Sequence, residues 1–347
     1  MTIRVMFKKV VFCLTLRHSQ GLLLLAALAL CFSFSSCARQ EKPAGPPEKV
    51  TIAVAASPDT ALAQVALVKG FYRQEGLEVT PWKYEYGKLA LEAMLEGRAD
   101  FATVAETPVM FAVMKGADIS VIATIQRSNS NNAVIARKDR GIRTPQDLKG
   151  RRIATTSGTL IDFYLDSFLA VNGLPRKAVT AVDMRPEEME SAVVNGDVDA
   201  ISGWGHVAAE TRKRLGKKGI TFLDKEIYTQ NFLVVATREF IRKNPEKVER
   251  LLRALVKAEE FVKRHPAEAQ AGIADFCRVD RSVIAEIWDL SDFSVALDQS
   301  LILALEDESR WAIEGGLTGA GKVPNYLDYI YFDGLKAVKP EAVRILR

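Results

Sequence analysis

Histidine and cysteine are scarce in this chain of 347 residues. The three histidines, His18, His206 and His265, are far apart in the sequence, so no histidine-rich metal site is predicted. Three of the four cysteines precede residue 38, which leaves Cys277 with no partner for a disulfide in the rest of the chain. A nucleophile-elbow serine motif is also missing. We therefore expect no catalytic residue, no metal and no cofactor.

Acidic residues are absent from the first 37 positions, which carry Arg4, Lys8, Lys9 and Arg17 and an apolar run over 22–32. This pattern is typical of a secretory signal, because the run is too short to span a bilayer. The formal charge of +4 comes from that segment, and without it 43 basic residues balance 43 acidic ones. The exported part is nearly neutral, which argues against a nucleic-acid partner.

The residues from Phe34 to Cys37 resemble the lipobox of bacterial lipoproteins, although that pattern prefers leucine where Phe34 stands. The resemblance implies that residues 1–37 are a lipoprotein signal peptide and that Cys37 is lipidated. The alternative is simple cleavage nearby. Residues 38–49 contain three prolines and no apolar period, so they are predicted to form a flexible tether. We expect a periplasmic or cell-surface protein with a lipid anchor in the membrane.

From residue 50 onward, short β-rich runs alternate with helical stretches that end at glycine, a pattern that predicts βαβ units and a largely parallel sheet. The pattern occurs twice. Gly97 and Asp100 lie between a helix and a strand of the first series, and Gly196 and Asp199 do so in the second. The chain then forms one more strand and finishes mostly helical.

We therefore predict two α/β lobes joined by a hinge of two segments. The first lobe comprises residues 50–135 plus 236–347, and the second comprises residues 136–235. Long helical sequence near the end, including 247–262, is amphipathic and requires a surface on which to pack.

Several short motifs resemble periplasmic substrate-binding proteins of the nitrate, sulfonate and taurine group. They lie, in this order, at 69–72, 75–79, 97–102, 141–142, 147–154, 157–158 and 199–204. The resemblance implies the type II periplasmic-binding fold. It also implies an ABC-importer component that binds a small anionic or zwitterionic, sulfonate-like solute, acts as a monomer and has permease and ATPase subunits as partners.

Two alternatives belong to other functional classes. One is a protein that binds, or an enzyme that makes, a thiamine pyrimidine precursor on the same fold. Turnover of the ligand would distinguish that enzyme from a binding protein. The other alternative is a sensory lipoprotein without a transporter, which the absence of neighbouring permease genes would indicate.

Ligands of open α/β sheets bind where strands end, so the loops after the predicted strands are candidate sites. Ser57 and Asp59 follow the first strand, and Glu106 and Thr107 follow the third. These residues are suited to contact a ligand or simply to cap the next helix. Gln126 and Arg127 follow the fourth strand, where Arg127 is expected either to pair with an anion or to face solvent.

The turn over Ser157, Gly158 and Thr159 lies between a β-branched strand and a predicted helix. Free N–H groups at such a helix start hold anions, and the resemblance implies ligand contact here. An ordinary helix cap is the alternative. Trp204, flanked by glycines, is expected to stack on the ligand with His206 beside it. A lone histidine is more often a surface or capping residue.

Overall fold

The chain was analysed as a computed structural model that describes residues 45–346. The predicted signal peptide, Cys37 and most of the predicted tether lie outside the described residues. Between residues 45 and 346, no helix combines the length and the apolar character needed to cross a membrane.

Helices and strands alternate through most of the described chain, as the sequence predicts. The helices are α1 (Ala61–Val68), α2 (Phe71–Gln74), α3 (Gly87–Leu95), α4 (Glu106–Met114), α5 (Leu160–Val171), α6 (Pro186–Asn195), α7 (Gly205–Leu215), α8 (Arg238–Lys243), α9 (Pro245–Arg264), α10 (Pro266–Cys277), α11 (Arg281–Trp288), α12 (Gln299–Glu314) and α13 (Phe332–Val338). The strands are β1 (Glu48–Ala55), β2 (Leu77–Tyr84), β3 (Phe101–Ala105), β4 (Ile119–Ser128), β5 (Asn132–Arg137), β6 (Arg152–Thr155), β7 (Thr180–Asp183), β8 (Ala200–Trp204), β9 (Gly219–Phe222), β10 (Gln230–Thr237), β11 (Leu297–Asp298) and β12 (Val343–Arg344).

Ten of these strands form two five-stranded mixed sheets with the same layout. The strand order is β2-β1-β3-β10-β4 in the first sheet and β7-β6-β8-β5-β9 in the second. In each sheet three parallel strands come first, followed by an antiparallel strand and an edge strand. The predicted α/β class is confirmed, and the observed sheets repeat one topology within the chain.

The chain passes twice between the sheets. Residues 129–131 lead from β4 in the first sheet to β5 in the second, and residues 223–229 lead from β9 back to β10. The lobe boundaries drawn from the sequence cut through β5 and β10, whereas each of these strands lies whole within one sheet. Each crossing leads directly into the antiparallel strand of the next sheet, which is β5 after the first crossing and β10 after the second.

The repeated glycine and aspartate pair has the same structural role in both sheets. Gly97 and Gly196 end their helices with positive φ angles of 76° and 90°. Asp100 then accepts a hydrogen bond from the backbone N–H of Thr51 on β1 at 2.7 Å, and Asp199 accepts one from Arg152 on β6 at 3.0 Å. Each aspartate therefore fixes the register of two neighbouring parallel strands at the edge opposite the candidate site.

The predicted amphipathic helix over 247–262 is confirmed as the central part of α9. Its apolar face, which includes Leu251, Leu252 and Leu255, is buried and packs against α1 and α13. Burial of each leucine contributes about 1.5–3 kcal/mol before the entropic cost of ordering it. The C-terminal helices therefore complete the core of the first sheet.

Gly87 provides a stability test of the close approach between α3 and β3. A Cβ atom at residue 87 would lie 2.9 Å from the Cα atom of Val104, so Gly87→Ala is expected to lower the free energy of unfolding by about 1–3 kcal/mol. Gly272→Ala is the matched control, because a Cβ atom on that α10 residue meets nothing within 4 Å. Chemical denaturation should find the control unchanged or stabilised, and equal stability of the two variants would contradict the close approach.

Candidate functional site: a cavity between the two sheets

Loops that follow strands of both sheets meet around one cavity. It contains about 420 Å³ of space between protein atoms, part of it open to solvent. The lining residues are Ser57, Asp59, Glu85, Tyr86, Gly87, Lys88, Ala105, Pro108, Thr159, Leu160, Trp204 and Phe232. All but Phe232, which lies near the start of β10, follow or end β1, β2, β3, β6 and β8, the parallel strands whose carboxyl ends face the gap. The cavity is therefore located where ligands bind in open α/β sheets.

Three helices begin at this cavity without a side-chain cap. The residues that precede α3, α5 and α7 are Tyr86, Thr159 and Trp204, and none of these side chains accepts a hydrogen bond from its helix. The first N–H groups of a helix have no partner inside the helix and carry the positive end of its dipole. The cavity thus collects three positive helix ends, which favours an anionic group in the ligand.

Lys88 adds a positive side chain to the same region. Its ammonium group donates to the backbone carbonyl of Ser157 over 3.2 Å and so connects α3 of the first sheet to the turn before α5. Lys88 lines the cavity and also a neighbouring groove, of about 1070 Å³ including open solvent, which Ser157 and Gly158 line. The ammonium group therefore lies where the two spaces adjoin.

The turn before α5 uses part of its anion-binding capacity internally. The N–H of Ser157 donates to Asp183 over 2.8 Å, and the N–H of Gly158 donates to Asp162 over 3.3 Å. Thr159, the next residue, lines the cavity. The N–H groups that this turn leaves available to a ligand are those at the start of α5, which include the predicted residue Thr159.

A network of buried amide and carboxyl side chains forms the cavity floor. Asp59 accepts hydrogen bonds from Ser57 at 2.6 Å, Asn131 at 3.0 Å and Gln230 at 3.3 Å. Gln230 also accepts from Asn132 at 3.1 Å. Burial raises the pKa of Asp59, and its hydrogen-bond donors oppose that shift. Asn131 ends the first crossing, and Gln230 begins β10 directly after the second crossing. This network therefore connects the cavity floor to both crossings.

Aromatic side chains form the walls. Tyr86, Trp204 and Phe232 line the cavity, although Phe232 is otherwise buried. Gly205 allows Trp204 to take its position, because a Cβ atom at residue 205 would overlap the side chain of Asn131. These walls suit an aliphatic or planar group attached to the anion.

Glu106 and Thr107 do not line the cavity, although they follow β3 as predicted. Glu106 accepts from the backbone N–H of Asn231 at 2.8 Å and from the Tyr228 hydroxyl. Thr107 donates to Glu308 over 2.6 Å. These partners hold both side chains inside the protein. The predicted ligand contact of Glu106 and Thr107 is therefore not found at this cavity.

Gln126 and Arg127 are also engaged elsewhere. Gln126 accepts from Gln230 at 3.0 Å, behind the cavity floor. Arg127 forms ion pairs with Asp292 at 2.7 Å and Asp298 at 2.6 Å. Its guanidinium group was predicted to pair with a ligand anion or to face solvent, and these two aspartates pair with it instead.

His206 lies in the first turn of α7, is half-buried, and does not line the cavity. Burial lowers its pKa to about 4, so the imidazole is neutral at neutral pH. Across residues 45–346, no group of three or more histidine, cysteine or acidic side chains is arranged to hold a metal ion.

Sequence reasoning missed Glu85, Tyr86 and Lys88 in the loop after β2. The signal was available, because this loop also follows a predicted strand and precedes a predicted helix. The same rule that selected Ser57, Asp59, Thr159 and Trp204 would have selected it.

Comparisons with known proteins agree with this geometry. The fold is that of two-lobed periplasmic binding proteins: the crystal structure of the aliphatic sulphonate binding protein SsuA from Escherichia coli superposes with a TM-score of 0.72 at 18% identity, over 82% of this chain and 98% of that one. The chain belongs to the NMT1/THI5-like family, whose model matches residues 57–269.

Two curated relatives have named ligands. A putative aliphatic sulfonates-binding protein from Bacillus subtilis is 27% identical over 228 residues, which cover 64% of this chain and 68% of the relative. The taurine-binding periplasmic protein of Escherichia coli is 23% identical over 219 residues, which cover 61% and 67%. The family resemblance predicted from the sequence is confirmed.

The floor network predicts that Gln230→Ala is destabilising. The change removes two donors and one acceptor from buried partners, so we expect a loss of about 2 kcal/mol or more in the free energy of unfolding. Gln74→Ala, on an exposed α2 position, should change it by less than about 0.5 kcal/mol. Similar denaturation midpoints for the two variants would show that the network contributes no stability.

Proposed function

We propose that this protein is the extracytoplasmic solute-binding component of an ABC importer and that its ligand is a small organic solute with a sulfonate-like anionic head. The observation that carries the proposal is the convergence of three uncapped helix starts and Lys88 on one cavity between the sheets. The named ligands of the sulfonate-binding and taurine-binding relatives support the same ligand class.

The proposed binding mode follows from the chemistry of the walls. The anionic head lies at the start of α5, at the N–H groups of Thr159 and Leu160, and pairs with Lys88. The rest of the ligand packs against Tyr86 and Trp204. Asp59, deeper in the cavity, offers a carboxyl group to an amine if the solute is zwitterionic.

We further propose that the sheets belong to two lobes, residues 45–128 plus 230–346 and residues 132–222, with 129–131 and 223–229 as the hinge. A ligand that contacts both lobes binds the closed form more tightly than the open form and shifts the population toward closure. The closed, monomeric protein then docks on the permease, and partner subunits hydrolyse ATP.

Lys88→Gln and Trp204→Ala are expected to weaken alkanesulfonate binding at least about tenfold each. The first change removes a charge-assisted contact, and the second removes an apolar wall. Binding is measured by calorimetry after a thermal-shift screen of alkanesulfonates, taurine and matched alkylamines that lack the sulfonate. Lys149→Gln, an exposed lysine outside the cavity, should bind like the wild type.

Two outcomes would contradict the proposal. If both cavity variants bound as tightly as the Lys149→Gln control, the ligand would lie elsewhere. If the ligand were recovered chemically changed, the enzyme alternative on the same fold would replace a binding function.

We also propose that Cys37 carries a lipid anchor as the first residue of the mature chain, after removal of the residues before it as a signal, with 38–49 as the tether. Cys37→Ser should move the protein from the detergent phase to the aqueous phase when cells are partitioned between the two. Cys277→Ser is the control and should remain in the detergent phase. Retention of Cys37→Ser in that phase would rule out lipidation at this cysteine.

A further inference from the structure

Two buried carboxyl groups outside the cavity meet at one tyrosine hydroxyl. Glu106 begins α4 and Glu308 lies in α12, and both are 0% exposed. Tyr228 belongs to the second crossing segment. Its hydroxyl bonds to Glu106 Oε1 and lies 3.2 Å from Glu308 Oε1. This cluster plays no part in the proposed ligand contacts.

The number of hydrogens determines the protonation of the cluster. Glu106 Oε1 already accepts the Asn231 N–H at 2.8 Å, so it is suited to be the ionised acceptor of the tyrosine hydrogen. That hydroxyl has no second hydrogen to give to Glu308. Glu308 Oε1 accepts the Thr107 hydroxyl at 2.6 Å. Its contact with the tyrosine oxygen is favourable when the carboxyl group of Glu308 carries a hydrogen and donates it to that oxygen.

No cation offsets the two carboxyl groups. Across residues 45–346, neither has a lysine, arginine or histidine at ion-pair distance. The strands β3 and β10 and the remainder of α4 contain no other ionisable side chain. One further oxygen on each, Glu106 Oε2 and Glu308 Oε2, has no partner in the described part of the chain. Two negative charges here would be buried and mutually repulsive.

Other charged groups on the surrounding elements do not change this balance. On α12, the negative charge of Asp307 makes ionisation of Glu308 harder, and Tyr326 nearby bonds to Ser309. Asp162 and Asp166 on α5 pair with Arg176, and Asp298 on β11 pairs with Arg127 and Arg344. The remaining ionisable side chains on packed elements are Lys88 and Glu92 on α3, Tyr164 on α5, Glu306, Arg310 and Glu314 on α12, and Asp328 and Tyr329 in the turn over 326–329. The crossing segment of Tyr228 also carries Asp224, Lys225 and Glu226.

We propose that Glu106 and Glu308 form a proton-binding site whose first proton is on Glu308 and is held there at neutral pH. The proton allows α12, α4 and the crossing segment to share one hydrogen-bonded cluster. Tyr228 also packs edge-on against Phe163 of α5 at 5.2 Å between ring centroids, and Phe163 packs against Trp311 of α12 at 5.3 Å. The site is thus a pH-sensitive contact between α12 and the segment that links the sheets.

Burial agrees with this assignment. It raises the pKa of Glu106 to about 7, and burial together with the charge of Glu106 raises the pKa of Glu308 well above its ordinary value. Both folded pKa values exceed that of an unfolded glutamate, about 4.3. The contribution of the pair to stability is therefore complete below about pH 4 and is lost as the pH rises through the folded pKa values.

The test combines infrared spectroscopy with thermal unfolding. At neutral pH the wild type should show a carbonyl band from a buried protonated carboxyl group, and Glu308→Gln should lack it. The midpoint temperature of wild-type unfolding should decrease as the pH is raised from about 5 to about 9. The decrease should be smaller in Glu308→Gln, which mimics the protonated group. Glu314→Gln, an exposed change on the same helix, should keep both the band and the wild-type pH dependence.

The proposal is overturned if the wild type shows no protonated carboxyl band at neutral pH, a measurement that needs no variant to fold. It is also overturned if the band persists in both Glu308→Gln and Glu106→Gln, because the proton would then belong to another residue. If the unfolding midpoint fell with rising pH equally in the wild type and in Glu308→Gln, the pair would not cause the pH dependence, and the proposal would again be overturned.

Discussion

The side-chain carboxamide of Gln230 holds together the parts of the molecule that surround the cavity. It donates to Asp59 and Gln126 and accepts from Asn132, so it joins the loop after β1, strand β4 and the first residue of β5. Both crossings between the sheets end within this network. The positions of the cavity floor and of the two sheets are therefore coupled through buried hydrogen bonds, which are costly to leave unmade.

Above that floor, the chemistry of the cavity comes mostly from backbone. Parallel strands in both sheets end at the gap, and the helices that follow them start there with free N–H groups. Side chains alter the positive electrostatic field of these N–H groups. Lys88 adds positive charge where the cavity adjoins the neighbouring groove, whereas Asp162 and Asp183 accept hydrogen bonds from two N–H groups of the turn before α5. A small anion is the ligand that such an arrangement binds without a dedicated cluster of arginines.

Local sequence patterns were sufficient for the elements and for part of the site. The predicted alternation of β-rich runs and helices is present, for example in the strands Leu77–Tyr84 and Phe101–Ala105, because alternation and flanking glycines depend on nearby residues alone. The rule that ligands bind where strands end correctly selected four residues that line the cavity, namely Ser57, Asp59, Thr159 and Trp204. The same rule gave Glu106 no indication of its position, since its partner Tyr228 is 122 residues away in the chain.

Arg127 illustrates the same limit. It was predicted to follow the fourth strand, but β4 extends to Ser128 and contains it. Asp292 and Asp298 come from the C-terminal region and pair with it there. Long-range pairing of this kind depends on how helices pack, which a local pattern does not encode.

Amide NMR during titration with an alkanesulfonate tests whether the backbone N–H groups at the start of α5 bind the anion, because it reports on these donors themselves. The largest chemical-shift changes are expected at the N–H groups of Thr159 and Leu160, with smaller ones around Lys88. Saturable binding whose largest changes fall outside the cavity, for example around Arg127 and Asp292, would contradict this expectation.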